Sequence, residues 1–329
     1  MRKKILIIGS FAIGLVMLFS FSVQKGNNVY EFLPLLSQYE LYKGAMADLN
    51  PAEGTELYEL TSHLFVDYSE KQRLLHIPSD TKIIANADGL PDFPNGTIMV
   101  KTFYYYFDAA SPSLGKNIVE TRLMIKKNDI WSFGTYEWNE RQTDAVLAED
   151  EKDVKVPYKD KNGNVQDIFF HIPSNEQCAE CHLYKNKNIP IGLKLRNMNF
   201  DVIKNEKSIN QLEYFKNIGW LDDVNHSELT TLPNWEDTSQ PLETRARAYL
   251  DMNCAHCHNP EGTASNKRLD FNYETDFAAT GLQSKKDKIM MRILSDDDDD
   301  LRMPSLGISI NDVEGNKMMK EYLNSLPDN

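Results

Sequence analysis

Two short stretches constrain this chain more than anything else in it: Cys254-Ala-His-Cys257-His258 and, upstream, Cys178-Ala-Glu-Cys181-His182. Both read C-x-x-C-H, the attachment signature of c-type haem. Each thiol can add to one vinyl group, and a two-residue gap lets both reach one porphyrin edge. The histidine that follows is then held under the iron as its proximal ligand. The two copies use all four cysteines of the chain. Zinc could use the same four thiolates, but its paired cysteines are usually about 15–20 residues apart, whereas Cys181 and Cys254 are separated by 73 positions (254 − 181). Distant pairs can still meet in space. A thioredoxin-like Cys-x-x-Cys explains neither the histidine nor the duplication. The expectation is therefore two covalently attached haem c groups, on Cys178, Cys181 and His182 and on Cys254, Cys257 and His258.

With 329 residues, 41% hydrophobic and 26% charged, the chain has material for two or three domains. Its net charge of −13 argues against nucleic acid, which needs a basic face, and suits a redox partner protein with a basic docking face. The N-terminus reads as an export signal: Arg2-Lys3-Lys4 precedes a nearly unbroken apolar run from Ile5 to Val23. That run is long enough to span a bilayer, so residues 1–28 are a cleaved signal peptide or a retained membrane anchor. Either way the remainder is expected outside the cytoplasm, in the periplasm or on the outer face of the cytoplasmic membrane, where haem attachment occurs.

Residues 29–165 are expected to form a β-rich domain, sandwich- or barrel-like. Around Tyr30 to Leu41 the pattern is apolar and non-periodic, with room for a short helix. Strand-like runs follow at Ile77-Pro78, Ile83-Ile84, 97–107, 119–125 and 130–138, separated by turn residues. Asp160-Lys-Asn-Gly163-Asn164 marks a hairpin turn, whose second arm, Val165 to Ile172, runs into the first motif. A first haem-binding region is expected over 166–233. Within it Ile209, Leu212, Phe215 and Ile218 share a helical face that Gly219 ends. The last unit, 234–329, opens a helix at Pro241 that runs into the second motif. Asn311 and Glu314 read as a capping pair for a final helix carrying Met318, Met319, Tyr322, Leu323 and Leu326. The whole is a multi-domain α+β chain.

A sixth iron ligand is the next requirement, and a methionine thioether suits electron transfer. Met303, 45 residues after His258 and followed by Pro304, is the choice for the second haem, with Met290 and Met291 as rivals. For the first haem the near methionine is Met198; His63, His76, His171 and His226 are other candidates, and a five-coordinate, reactive iron is an alternative. The order of helix, C-x-x-C-H, Met-Pro loop and C-terminal helix over about 240–327 resembles a single-haem cytochrome c domain.

A broader resemblance rests on Leu64-Phe65-Val66-Asp67-Tyr68, Lys71, Arg73, Phe93-Pro94, Gly96-Thr97 and Lys101-Thr102-Phe103. It continues through Glu120-Thr121-Arg122-Leu123, Trp138-Asn139, Gln142-Thr143-Asp144-Ala145, Ile172-Pro173-Ser174 and Tyr249-Leu250-Asp251. Over roughly 55–327 the chain resembles a family of secreted dihaem c-type cytochromes with a β-rich N-terminal region. That resemblance implies architecture and haem content, and no substrate. Single-electron transfer between redox partners is the leading expectation; a peroxidase-like dihaem oxidoreductase with a reactive first haem is the alternative. In a third reading the β domain binds a partner or small ligand through Glu120, Arg122, Trp138, Asn139, Gln142 and Asp144, although hydrogen bonds that fix the fold account for that set more simply. The run Asp296 to Asp300 reads as a solvated loop, with calcium binding or docking to a basic partner as alternatives.

Overall fold

The computed structural model describes residues 30–295 and 301–328. The expected export segment, residues 1–28, and the acidic run Asp296 to Asp300 lie outside the described residues. The protein is α+β: an N-terminal antiparallel sheet is followed by a C-terminal part with several helices.

Six strands form the sheet in sequence order: β1 (Thr55–Leu57), β2 (Glu70–His76), β3 (Ile98–Tyr106), β4 (Lys116–Lys127), β5 (Ile130–Trp138) and β6 (Ala145–Leu147). β1 and β6 are its two edges and do not pair with each other, so this is an open meander. The expected run at Ile83-Ile84 forms isolated bridges, to Leu221 and Asp92. β2 was hidden because Lys71, Gln72 and Arg73 break the apolar alternation. Its neighbours β3 and β4 are strongly β-branched and aromatic, which made them legible.

Alternation along the strands supplies two buried faces. Leu74, Val100, Leu123, Ile125, Tyr136 and Trp138 point to one side and meet Leu36, Leu41 and Leu49 of the N-terminal segment. That segment lies on the sheet as short 3-10 turns, Leu36–Tyr39 and Met46–Asp48, with no α-helix among its described residues. Under it a hydrogen-bond chain crosses the strands, from Tyr42 to Thr102 to Thr121 to the Trp138 indole. Gly134 of β5 is needed here, since a Cβ would collide with the Phe32 ring. The polar set after β5 also serves the fold: Asn139 holds Thr143, Gln142 pairs with the Ile118 backbone, and Asp144 accepts from Ser37.

The opposite face is shared. At one end Phe103, Tyr105 and Val119 pack on the hairpin β7 (Lys152–Lys159) and β8 (Val165–Ile172) through Val156, Ile168, Phe170 and Ile172. At the other end Leu75, Met99, Met124, Trp131 and Phe133 join a core that continues through the helices to Leu323. The sheet, the first motif and the last helices therefore share one apolar core, and the sequence boundary at 165/166 falls at the start of β8.

α1 (Asn175–His182) carries the first motif and is followed by the two-residue strands β9 (Leu183–Tyr184) and β10 (Lys187–Asn188). Ser174 and Gln177 form a capping box at its start. Next come α2 (Leu195–Met198), the hairpin β11 (Asp201–Lys204) and β12 (Lys207–Asn210), and α3 (Gln211–Asn217), whose N-cap Asn210 accepts from Leu212 and Glu213. α4 (Leu242–Asn253) starts after Pro241. α5 (Leu282–Ile293) and α6 (Val313–Ser325) complete the chain. The N-cap of α6 is Asp312, one residue beyond the expected Asn311, and it accepts from the Gly315 amide at 2.9 Å.

Buried amides join sheet to helices. Between β1 and β2 the backbone of 59–68 has few strand partners, so side chains supply them. Gln211 bonds both the N–H and C=O of Glu59, Asn197 those of Ser62, and Asn253 accepts from the Phe65 N–H.

Candidate functional site

A cavity of about 140 Å³ lies between the inner face of the sheet, α1, α4 and the 304–308 loop. Cys178, Cys181 and His182 line it together, because α1 presents all three to the sheet. Leu60, Leu64, Met99, Met124, Phe133 and Leu193 make much of the wall apolar.

His182 is oriented by two contacts. Its Nδ1 bonds the Ile189 carbonyl at 2.7 Å, and its ring packs on Phe133 with centroids 4.9 Å apart. Since that carbonyl can only accept, Nδ1 carries the proton and Nε2 keeps a lone pair able to bind a metal. A metal-bound histidine is usually held in this way by its second nitrogen. Burial holds the imidazole neutral, with its pKa lowered to about 3 although the Ile189 bond opposes this.

The second motif is built differently. α4 ends at Asn253, so Cys254, Cys257 and His258 sit on the turn beyond it, not on the helix expected to run through them. The turn closes by the Cys257 and His258 amides bonding to the Cys254 carbonyl. His258 packs on Phe271, with centroids 5.5 Å apart, and its buried Nδ1 has no hydrogen-bond partner. None of these three residues lines the cavity, whereas His256, between the two cysteines, does.

The folded chain brings the two motifs together. One ligand atom each from Cys181, His256 and Cys257 lies within 4.8 Å of the others. A hydrogen bond from Cys181 draws the Cys257 thiol to a lower pKa, with His256 and Thr263 adding to the effect, and the same contact pushes Cys181 up. Such a group has the composition of a small metal site as well as of two neighbouring attachment points.

The methionines are placed as follows. Met198 is 2% exposed, in the core that also contains Leu212, and does not line the cavity. Met303 is half-buried; its amide bonds the Arg292 carbonyl at the end of α5, and the next residue, Pro304, lines the cavity of the first motif. Met99, Met124 and Met252 also line it, with the Met252 sulfur 3.2 Å from the Asn197 amide nitrogen. Of the candidate histidines, His171 is held by Asp153 and Gln177 and is the one that reaches the cavity lining. His76 is bonded to the Gly54 carbonyl and His226 faces Glu213. Burial, with Arg73 and the lysines 71 and 101, lowers the pKa of His63 to about 4.

Part of the polar wall of the cavity was legible in the sequence, where Arg122 stood in the candidate ligand-binding set; Arg73 and Lys101 were not singled out for that role. Arg73, Lys101 and Arg122 line it from β2, β3 and β4, and burial followed by mutual repulsion lowers the pKa of Lys101. Lys101 next to Val100 and Arg122 next to Leu123 gave a weak signal, since charged residues at inward positions of central strands are rare; Arg73, in the polar run 71–73, gave none.

Searches of protein-family models, curated proteins and solved structures return no match for this chain. Among the described residues no helix is long and apolar enough to cross a membrane.

Proposed function

We propose that this chain is an exported dihaem c-type cytochrome that passes single electrons between redox partners. Cys178 and Cys181 would hold one haem with His182 beneath it, and Cys254, Cys257 and His258 the other. The observation that carries the reading is His182: its Nδ1 is committed to Ile189 while two correctly spaced thiols share its cavity. Haem iron supplies one-electron chemistry when bound. The residues here do the rest, giving an apolar enclosure, a fixed imidazole and, through Cys181 and Cys257, two attachment points that touch. Met303 is the proposed sixth ligand for His258's iron. The core position of Met198 supports leaving the first iron's sixth position to another residue, or open as the peroxidase-like alternative requires. A redox partner with a basic docking face suits the net charge of −13.

The test is expression of the full chain with a haem-maturation system. Two c-type haems per chain are expected in the reduced spectrum, and replacing either cysteine pair by alanine should remove one. Cyanide or carbon monoxide binding would then favour the reactive-haem alternative. The Cys181, His256 and Cys257 cluster supports one further reading, a bound metal ion such as zinc. Purified protein with no haem absorbance and one zinc per chain would establish that instead.

A further inference from the structure

Arg73, Lys101 and Arg122 are direct cross-strand neighbours: Arg73 pairs with Lys101 in the β2–β3 register, and Lys101 with Arg122 in β3–β4. Side chains directly opposite one another sit about 5 Å apart at Cβ, where like charges are destabilising. All three point into the cavity of the first motif. Arg73 is 92% buried (8% exposed), and among the described residues no side-chain hydrogen bond or ion pair holds either its guanidinium or the Lys101 ammonium. Arg122 pairs with Glu120 and still has a buried, unpartnered Nε. Lys101 and Arg122 both lie against the Phe103 ring, at 4.9 and 4.5 Å. The other buried carboxylate nearby, Asp67, is occupied by Ser309 and Ile310. Glu120, whose second oxygen is buried without a partner, is one negative charge against three positive ones, and a row with that excess facing an enclosed space is costly unless a further anion completes it.

We infer that Arg73, Lys101 and Arg122 form a carboxylate-binding rung that takes the two propionate groups of a haem attached at Cys178 and Cys181. This deepens the proposed function and rests on it. An amphiphile with a flat apolar body and two carboxylates matches a cavity whose walls are largely apolar and whose lysine and arginine side chains all lie in this row. Guanidinium groups can grip a carboxylate by paired N–H bonds, and the lysine adds a point charge. The row would orient the macrocycle across the sheet, with its thioether edge at the β5 end, where Cys178 meets Thr135 beside Arg122, and its acidic edge toward Lys101 and Arg73.

The experiment compares Arg73→Met and Lys101→Met in the mature full chain and in a Cys178→Ala/Cys181→Ala background that lacks the first haem. With that haem attached, Lys101→Met is expected to lower the melting temperature, because a propionate loses its partner. In the background without it, the same substitution is expected to raise the melting temperature, because a like charge is removed. In the Cys254→Ala/Cys257→Ala background, which isolates the first haem, each substitution should shift the one-electron reduction equilibrium toward the oxidised form. The shift is on the order of tenfold, for a unit charge ~10 Å away at an effective dielectric of about 20; tenfold corresponds to about 59 mV for one electron.

A change of the same sign in both backgrounds, or an unmoved potential in both variants, overturns the inference. If the background without the first haem does not fold, the potentials alone decide. Stabilisation of the mature, unsubstituted chain by inorganic phosphate beyond a chloride control would assign the row to a free anion and also overturn it. Failure of the underlying haem reading is seen separately, as absent haem absorbance before any rung variant is made.

Discussion

Asp67 fixes the wall of the cavity opposite the sheet, and its replacement has a calculable cost. One carboxylate oxygen accepts from the amides of Ser309 and Ile310 at 2.7 and 3.1 Å, and the other accepts from the Ser309 hydroxyl at 3.0 Å. These bonds hold the segment that contributes Pro304, Leu306 and Ile308 to the cavity. Asp67→Ala orphans two backbone donors, each at about 1–2 kcal/mol for partly buried groups. It also places alanine at φ +48, which costs about 1 kcal/mol more. The sum is a loss of about 3–5 kcal/mol.

Asp67→Asn separates the contributions. Its amide oxygen can keep both N–H bonds, and asparagine tolerates the left-handed backbone, so a loss within about 1 kcal/mol is expected. Guanidinium denaturation of the full chain at pH 7 measures both. Limited proteolysis should cut the 301–310 segment faster in the alanine variant alone. Equal stabilities for the two variants, within about 0.5 kcal/mol, would refute the role given to these bonds. The pH dependence has a definite sign. Burial raises the Asp67 carboxyl pKa despite its hydrogen bonds, so its folded value exceeds its unfolded one. Wild type should therefore gain stability relative to Asp67→Asn as pH falls through the folded pKa, and lose it as pH rises.

Three further substitutions probe the rest of the framework. At the crossing of α4 and α6, a Cβ on Gly315 would lie 2.5 Å from the Tyr249 ring; Gly315→Ala should cost about 1–3 kcal/mol by overpacking, read from denaturant midpoints, and an unchanged midpoint would place the helices further apart than described. Lys194 bonds the buried Asp251 carboxylate at 2.8 Å, and Lys194→Met should cost about 3–5 kcal/mol by stranding that charge, whereas the double change with Asp251→Asn should recover part of the loss. His171 joins the β7–β8 hairpin to α1 through Asp153 and Gln177. Burial pushes its pKa down, but those two bonds together with the charges of Asp153 and Glu151 outweigh it and leave the value raised. The stability His171 contributes should be complete below about pH 6.5, and lost as pH rises through the folded pKa. His171→Gln should flatten that part of the stability–pH profile.

The two C-x-x-C-H patterns were visible in the sequence because each lies within five consecutive residues; the haem they are proposed to hold belongs to the proposed function. The aromatic and β-branched runs of β3, β4 and β5, the Asp160–Asn164 turn and the apolar face of α6 were legible for the same reason, since their signals lie within one element. Tertiary structure decided what depends on residues meeting from far apart. It placed Cys181 beside Cys257 and His256, gave His182 its carbonyl at Ile189, and packed Met198 into the core at a position sequence spacing had suggested for a ligand. It also aligned Arg73, Lys101 and Arg122 as one row. In the chain these are three unrelated basic residues on three strands. Only strand register makes them neighbours, and a shift of one residue in any strand would turn its cation to the other face.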